Sequence, residues 1–274
     1  MPEKENRTPE RLKAHYLIEK ELADRLRRAD KAARQNLYAQ VYAELRRLVS
    51  DHPDWWPWAN TAARAWSLRN QMALLKRFLR PGTVLLEVGA GDCRLAIEAA
   101  KRVAQVYAVD VSSPERRGAP PNFQFIQAPV GRIGLPPGSV DLVYSHQFLE
   151  HLHPEDAVDH LRSVCALLRP GGRYLCLTPN RLSGPHDVSR YFDDTATGLH
   201  LREYTCGELA ELFRQAGFSK VQLYAGAKGL FCRWPLGCVV LVERLLAALP
   251  APARKALARR LLRPVLGIRM VAAK

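Results

Sequence analysis

Apolar positions follow a helical period through the amino-terminal part of the chain and then give way to short buried runs divided by turns. Thr8-Pro9-Glu10 offers a hydroxyl cap, a proline suited to a first turn and a carboxylate near the positive helix end. Leu12, Tyr16, Glu19, Leu22 and Leu26 continue at helical spacing, and Asp30 can cap a second helix with Leu37, Val41, Leu45 and Leu48 on one face. Asp51-His52-Pro53-Asp54 breaks this arm, and Trp55, Trp56 and Trp58 follow at once. Three tryptophans so close together predict either an apolar clasp or an aromatic wall of a pocket or membrane contact. Trp66 to Leu79 predicts a further helix, ending before Pro81-Gly82.

From there the pattern alternates strand and helix, which predicts an α/β fold. Thr83-Val84-Leu85-Leu86 is a buried strand running into Glu87-Val88-Gly89-Ala90-Gly91-Asp92-Cys93, and Arg94 to Ala100 opens a helix. Glycine in such a turn allows backbone angles that side chains forbid and lets a ligand approach the main chain. Val106-Tyr107-Ala108-Val109-Asp110 is a second strand whose terminal carboxylate stands 19 positions after Gly91. An acidic tip there suits the two hydroxyls of a ribose, in NAD or in S-adenosylmethionine. Glu87 and the absence of a third glycine favour the methyl donor, since a carboxylate would repel a pyrophosphate and attract an ammonium.

Four further segments follow in order: Val140 to Ser145, Phe148-Leu149-Glu150-His151-Leu152, Leu167 to Asn180 with Pro170-Gly171-Gly172, and Glu208 to Phe218 leading to Val221-Gln222-Leu223-Tyr224. With the glycine-rich turn, these resemble the class I S-adenosylmethionine-dependent methyltransferases, in the type 11 group that includes quinone and sugar methyltransferases. The resemblance spans roughly residues 66–226. It implies a Rossmann-like, seven-stranded, mostly parallel sheet with helices on both faces. Residues 1–60 would form a helical arm or lid over the cleft, and 61–230 the cofactor-binding core. Residues 231–274 would form an apolar and basic helical extension before a final antiparallel edge strand over Leu266 to Ala273.

The resemblance also implies roles. Gly89, Ala90 and Gly91 would lie under the methionine part of S-adenosyl-L-methionine, with Glu87 on its ammonium side and Ser145 at the tip of strand four. Asp110 would bind the ribose hydroxyls, Val111 would pack on the adenine, and Val130 would offer its backbone N–H. Pro129 stands where the family usually has an aspartate. Relatives with Glu-x-x-Glu-His after strand four hold a divalent ion. Gln147 replaces the first glutamate here, and an amide is a poorer ligand than a carboxylate, so no metal is expected and Glu150 and His151 would brace the helix start.

For the acceptor side, His146 at a strand tip could remove a hydroxyl proton. The long polar loop from Thr178 to Asp194 offers a second base, His186, oriented by Asp187 or Asp194. Arg181, Arg190 and Tyr191 could hold an anionic or hydroxylated substrate, and His200, with Arg202, Glu203 and Tyr204, would belong to a lid.

Composition adds three points. Six cysteines without C-x-x-C spacing predict reduced, buried thiols rather than a disulfide framework or zinc site. Met1-Pro2-Glu3-Lys4-Glu5 has no apolar stretch, so no signal peptide is expected and the location would be cytoplasmic. The formal net charge of +14 is compatible with nucleic acid, an anionic membrane surface, a phosphorylated substrate, or simply solvated arginines. Trp234 to Leu249 is apolar but too short to cross a bilayer. Arg254 to Arg263 is basic and amphipathic, fit to lie on the inner membrane face or to pack on the core by its leucines. The expected function is O-methylation of a small or lipid-linked metabolite, sugar or quinone-like. An RNA methyltransferase and a catalytically silent S-adenosylmethionine-binding protein are the alternatives; nucleic acid has less support because no RNA-binding module is visible.

Overall fold

A computed structural model describes residues 7–51, 61–112 and 118–274. The tryptophan cluster lies outside the described residues. The arm forms as its caps predict. Thr8 caps α1 (Pro9–Arg28), accepting from the Arg11 amide, and Asp30 caps α2 (Lys31–Leu48), accepting from Ala33. The buried stripe of α2 is Arg34, Tyr38, Val41 and Leu45, rotated from the predicted one, and Leu48 is exposed. The rotation follows from a buried polar lock described below.

The helix α3 (Thr61–Leu75) precedes β1 (Val84–Val88), α4 (Arg94–Ala100), β2 (Gln105–Asp110), β3 (Phe123–Gln127) and β4 (Val140–His146). Next come a short 3-10 turn over Leu149–His151, α5 (Pro154–Leu167), β5 (Leu168–Thr178), α6 (Cys206–Gln215), β6 (Lys220–Ala227) and β7 (Leu230–Trp234). The helices α7 (Leu236–Ala247), α8 (Ala251–Arg260) and α9 (Arg263–Leu266) complete the insertion before β8 (Ile268–Ala273).

The sheet order is β3-β2-β1-β4-β5-β8-β6-β7. The first five strands in this order are mutually parallel, and β8 is antiparallel to both neighbours. Two expectations are corrected. The sheet has eight strands, because β7 folds back on β6 through Lys228-Gly229, both at positive φ (52° and 84°). The last strand is not an edge: β8 is inserted between β5 and β6, where Met270 and Ala272 are fully buried, and β7 takes the edge.

Side chains alternate across the strands and divide the core into two layers. Leu86, Val88, Val143, Tyr174 and Cys176 face α1, α2, α5 and α6. Leu85, Leu142, Tyr144 and Leu175 face α3 and α4. Both layers leave the carboxyl ends of β1, β2, β4 and β5 at one rim, where ligands of open α/β sheets bind.

Two buried polar locks position elements around that rim. Arg34, 2% exposed, donates from Nε to Asp156 Oδ2 at 2.8 Å, and Tyr38 donates to the same oxygen at 2.7 Å. Tyr38 also accepts from the His153 amide at 2.8 Å, so α2 is fastened to the start of α5. Glu243, buried within the apolar α7, accepts from the Cys206 and Gly207 amides at 2.6 and 3.0 Å and from Asn180 at 2.7 Å. It therefore satisfies the first amides of α6, beside the Thr205–Glu208 capping box. That explains a carboxylate in an otherwise apolar run.

All six cysteines are free thiols, four buried as predicted, while Cys232 and Cys238 are exposed. No helix among the described residues is long and apolar enough to cross a membrane.

Candidate active site

The turn after β1 is held by main-chain bonds to β2: the Gly89 and Ala90 amides both donate to the Val109 carbonyl, at 2.9 and 3.1 Å. Gly89 sits at φ +67°, and a Cβ there would stand 2.5 Å from the Phe148 ring. Glycine is thus demanded by conformation and by the close approach of the segment after β4. Gly91 donates its amide to Asp110 Oδ2 at 2.9 Å, and nothing lies within 4 Å of where its Cβ would be. Asp110 Oδ1 accepts from the Ser112 amide and hydroxyl. The second-strand carboxylate is therefore fixed against the glycine turn, beside open space.

Strand register adds Glu87 and His146 to the same face. Glu87 pairs with Ala108 of β2 and Tyr144 of β4, so Asp110 and His146 each lie two residues further toward the rim on that side. Glu87 is 6% exposed, and its Oε2 has no hydrogen-bond partner. Burial, with Asp92 and Asp110 nearby, pushes its carboxyl up to about 8. A buried, orphaned carboxylate oxygen is expensive unless a ligand meets it, and a cationic ammonium would. His146 is half-buried, and its backbone is paired with Leu177 of β5. Burial and then the Arg269 guanidinium push it down to about 4, so it is neutral at pH 7.

The loop after β5 makes a second constellation. His186 meets Glu203 Oε2 through Nδ1 at 3.1 Å and Ser183 Oγ through Nε2 at 3.1 Å. A carboxylate only accepts, so Nδ1 carries the proton and Nε2 offers a lone pair. The Ser183 hydroxyl also reaches the Asn180 carbonyl at 3.0 Å and has only one proton to donate. Nε2 is therefore weakly held and open to another hydroxyl. A Cβ at Gly184 would collide with Glu203, so a glycine lets the carboxylate reach the ring. The orienting acid is Glu203, not Asp187 or Asp194 as the sequence predicted. Asp187 accepts from the Ser189 amide and hydroxyl, and Asp194 pairs with Lys255 at 2.6 Å.

Glu203 also accepts from His200 Nδ1 at 2.7 Å. Burial alone would raise the Glu203 carboxyl, but hydrogen bonds from His186 and His200 hold it well below the usual range. Burial would lower His200, yet Glu203, Glu150 and Asp187 raise it above its ordinary value.

His200 in turn meets two residues of the segment after β4. One ligand atom each from Glu150, His151 and His200 lie within 4.8 Å of one another. His151 directs Nδ1 at the Leu199 carbonyl at 3.0 Å, and Glu150 Oε2 accepts from Thr178. Glu150 Oε1 is buried without a partner. Burial pushes Glu150 up to about 7 and His151 down to about 3. Each histidine thus has one nitrogen anchored on an acceptor, as in carboxylate- or carbonyl-oriented metal ligands. Gln147 counts against a metal in the sequence; the third candidate side chain, His200, comes from a distant loop that spacing could not place. Two imidazoles and a carboxylate suit Mn2+, Fe2+ or Zn2+.

The first helix holds this loop down. Tyr16 donates to Asp193 at 2.7 Å and stacks on Phe192, and Arg27 donates to the Thr197 and Gly198 carbonyls. Tyr42 of α2 stands edge-on to His151. Burial raises its phenol well above the ordinary value, and Glu19, Glu150 and Asp110 add to this, so it borders both constellations. Sequence reasoning does not reach Tyr42, and it places Glu203 in a lid rather than beside His186, which lies 17 positions earlier in the chain.

The remaining predicted residues are dispersed. Ser145 is fully buried and bonds Tyr174 at 2.7 Å, so its side chain faces the α5 layer. The Val111 carbonyl accepts from Gln127, and Val130 packs half-buried on the core. Arg181 pairs with Glu208 at 2.9 Å, whereas Arg190 lies over Tyr191 at the surface, 4.6 Å from its ring. These arginines do not converge on one anion.

Residues 86–176 match the family model described as a methyltransferase domain. A Mycolicibacterium smegmatis protein named a probable S-adenosylmethionine-dependent methyltransferase is 31% identical over 140 residues, covering 50% of this chain and 52% of that protein. An uncharacterized methyltransferase of Mycobacterium bovis is 34% identical over 112 residues, covering 39% and 56%. The chain spans about half the length of these curated relatives. Among solved structures, a chain from the complex of the Haloferax volcanii Trm112 methyltransferase activator with a methyltransferase has a TM-score of 0.56 at 18% identity, covering 81% of this chain and 96% of that one. Haemonchus contortus phosphoethanolamine N-methyltransferase 2, solved with S-adenosyl-L-methionine, has a TM-score of 0.52 at 18% identity, covering 76% and 52%. The strand order, the glycine turn pinned to Asp110 and the matched segment agree: residues 86–176 form a methyltransferase domain of the type 11 group, similar in sequence and fold to S-adenosylmethionine-dependent methyltransferases.

Proposed function

We propose that the protein transfers the methyl group of S-adenosylmethionine to a hydroxyl of a small or lipid-linked metabolite. The observation that carries this reading is the orphaned, buried Glu87 oxygen beside a glycine turn pinned to Asp110. Glu87 would receive the ammonium, Asp110 the ribose hydroxyls, and the open face of Gly91 the methionine chain. Val111 and the Val130 amide would border the adenine.

Transfer is an in-line displacement: the acceptor oxygen bonds the methyl carbon as the carbon–sulfur bond breaks, leaving neutral S-adenosylhomocysteine. The acceptor proton would pass to His186 Nε2, with Glu203 holding the ring and stabilising the imidazolium. Glu150, His151 and His200 would hold a divalent ion. When bound, such an ion would lower the pKa of an acceptor hydroxyl.

Transfer of a labelled methyl group into polar and lipid extracts tests the reading. The expected result is one labelled product class, with His186→Ala lowering kcat by about 10²–10⁴ and leaving cofactor affinity unchanged. An unchanged kcat in that variant would remove His186 as the base. His200→Ala is expected to lose bound metal, measured by elemental analysis after incubation with Mn2+ or Zn2+; equal metal content in both proteins would exclude the triad as its ligands.

A further inference from the structure

The insertion between β7 and β8 has one side committed and one side bare. Inward, Val239, Glu243 and Leu246 of α7 are buried, and α8 reaches the loop after β5. Arg259 donates to the Ser183 carbonyl at 2.7 Å and Lys255 to Asp194. Outward, Cys238, Leu241 and Leu245 recur at steps of three and four on one face of α7, with Leu241 58% and Leu245 64% exposed. Leu257 and Leu261 follow at a step of four, 36% and 72% exposed, whereas Leu262 packs on the core. Trp234, 41% exposed, precedes α7.

Around these apolar side chains Arg233, Arg244, Arg260 and Arg263 are exposed. No acidic residue follows Glu243, and Glu243 is buried in the α6 cap. Adjacent exposed leucines are unusual on a solvated surface and mark a contact. Apolar side chains framed by arginines, on two helices that expose no carboxylate of their own, suit the boundary between lipid headgroups and acyl chains.

We propose that the outer face of α7 and α8 docks on an anionic lipid bilayer. Charge complementarity selects this occupant. A second copy would bring the same arginines together with no carboxylate between them, whereas anionic headgroups supply the missing charge. Docking would set α8 between the lipid surface and the loop carrying Ser183 and His186, one helix layer away, which fits a lipid-linked acceptor. The docking itself does not depend on methyl transfer.

Cosedimentation of the full chain with vesicles tests it, comparing phosphatidylcholine alone with phosphatidylcholine containing phosphatidylglycerol. The expected result is binding only to the anionic vesicles, weakened by salt, and reduced at least tenfold in Leu241→Glu/Leu245→Glu with the melting temperature unchanged. Should that variant fail to fold, Arg260→Glu/Arg263→Glu decides, with the same loss expected. No binding to either vesicle, or equal binding by a folded variant, would overturn the proposal. So would a dimer in sedimentation velocity that the leucine variant dissociates without any vesicle binding. Loss of S-adenosylhomocysteine binding would refute the methyltransferase reading and leave this one standing.

Discussion

Glu87 faces the strongest conflict between burial and charge at the cofactor end of the sheet, and that conflict is measurable. Its ordinary value of 4.5 rises to about 8, so across that window the folded protein holds a proton that the unfolded chain has lost. Stability contributed by this group therefore falls as pH rises from about 4.5 to 8. Glu87→Gln removes the dependence. Thermal melts of the ligand-free variant are expected to exceed those of the parent at pH 8–9 and to match them near pH 5; a lower melting temperature at both pH values would contradict the assignment. Cofactor affinity should move the opposite way, because an ammonium needs the ionised form. Affinity for S-adenosylhomocysteine is expected to rise between pH 6 and 8, by about tenfold per unit at most, and to be flat in the variant.

At the scale of elements, the two polar locks decide how helices meet the rim. Removing Arg34 leaves Asp156 buried with Tyr38 as its remaining side-chain partner from α2, so Arg34→Ala is expected to cost about 3–5 kcal/mol in denaturant unfolding. A loss below 1 kcal/mol would show that the pair is solvated. Glu243→Ala orphans two amides at the start of α6 and the Asn180 side chain, with an expected cost of about 2–4 kcal/mol; no change would mean that the capping box alone holds that end. The sequence revealed these elements unevenly. Both arm helices were readable from Thr8 and Asp30, because a cap and a period are local signals. The stripe of α2 is legible at Val41 and Leu45 but not at Arg34 and Tyr38, because Arg34 looks like a surface residue until Asp156 is folded against it. β7 escaped notice because it is mostly exposed and lacks a clean two-residue alternation.

For the whole molecule, what was legible was whatever a short stretch of chain encodes. The turn from Glu87 to Cys93 and the carboxylate of Asp110 announce a nucleoside site because the fold places consecutive parallel strands side by side. The position of β8 between β5 and β6 is a matter of sheet order, which no local pattern records. The same is true of His200 and Glu203, which join Glu150 and His186 only when the loop after β5 closes under α1. Isothermal titration calorimetry with S-adenosylhomocysteine at pH 8, on the full chain and on Asp110→Ala, tests the nucleoside site most directly. One site per chain is expected in the parent, with at least tenfold weaker binding in the variant. Absence of binding heat in the parent, with NAD bound in its place, would contradict the methyl-donor assignment.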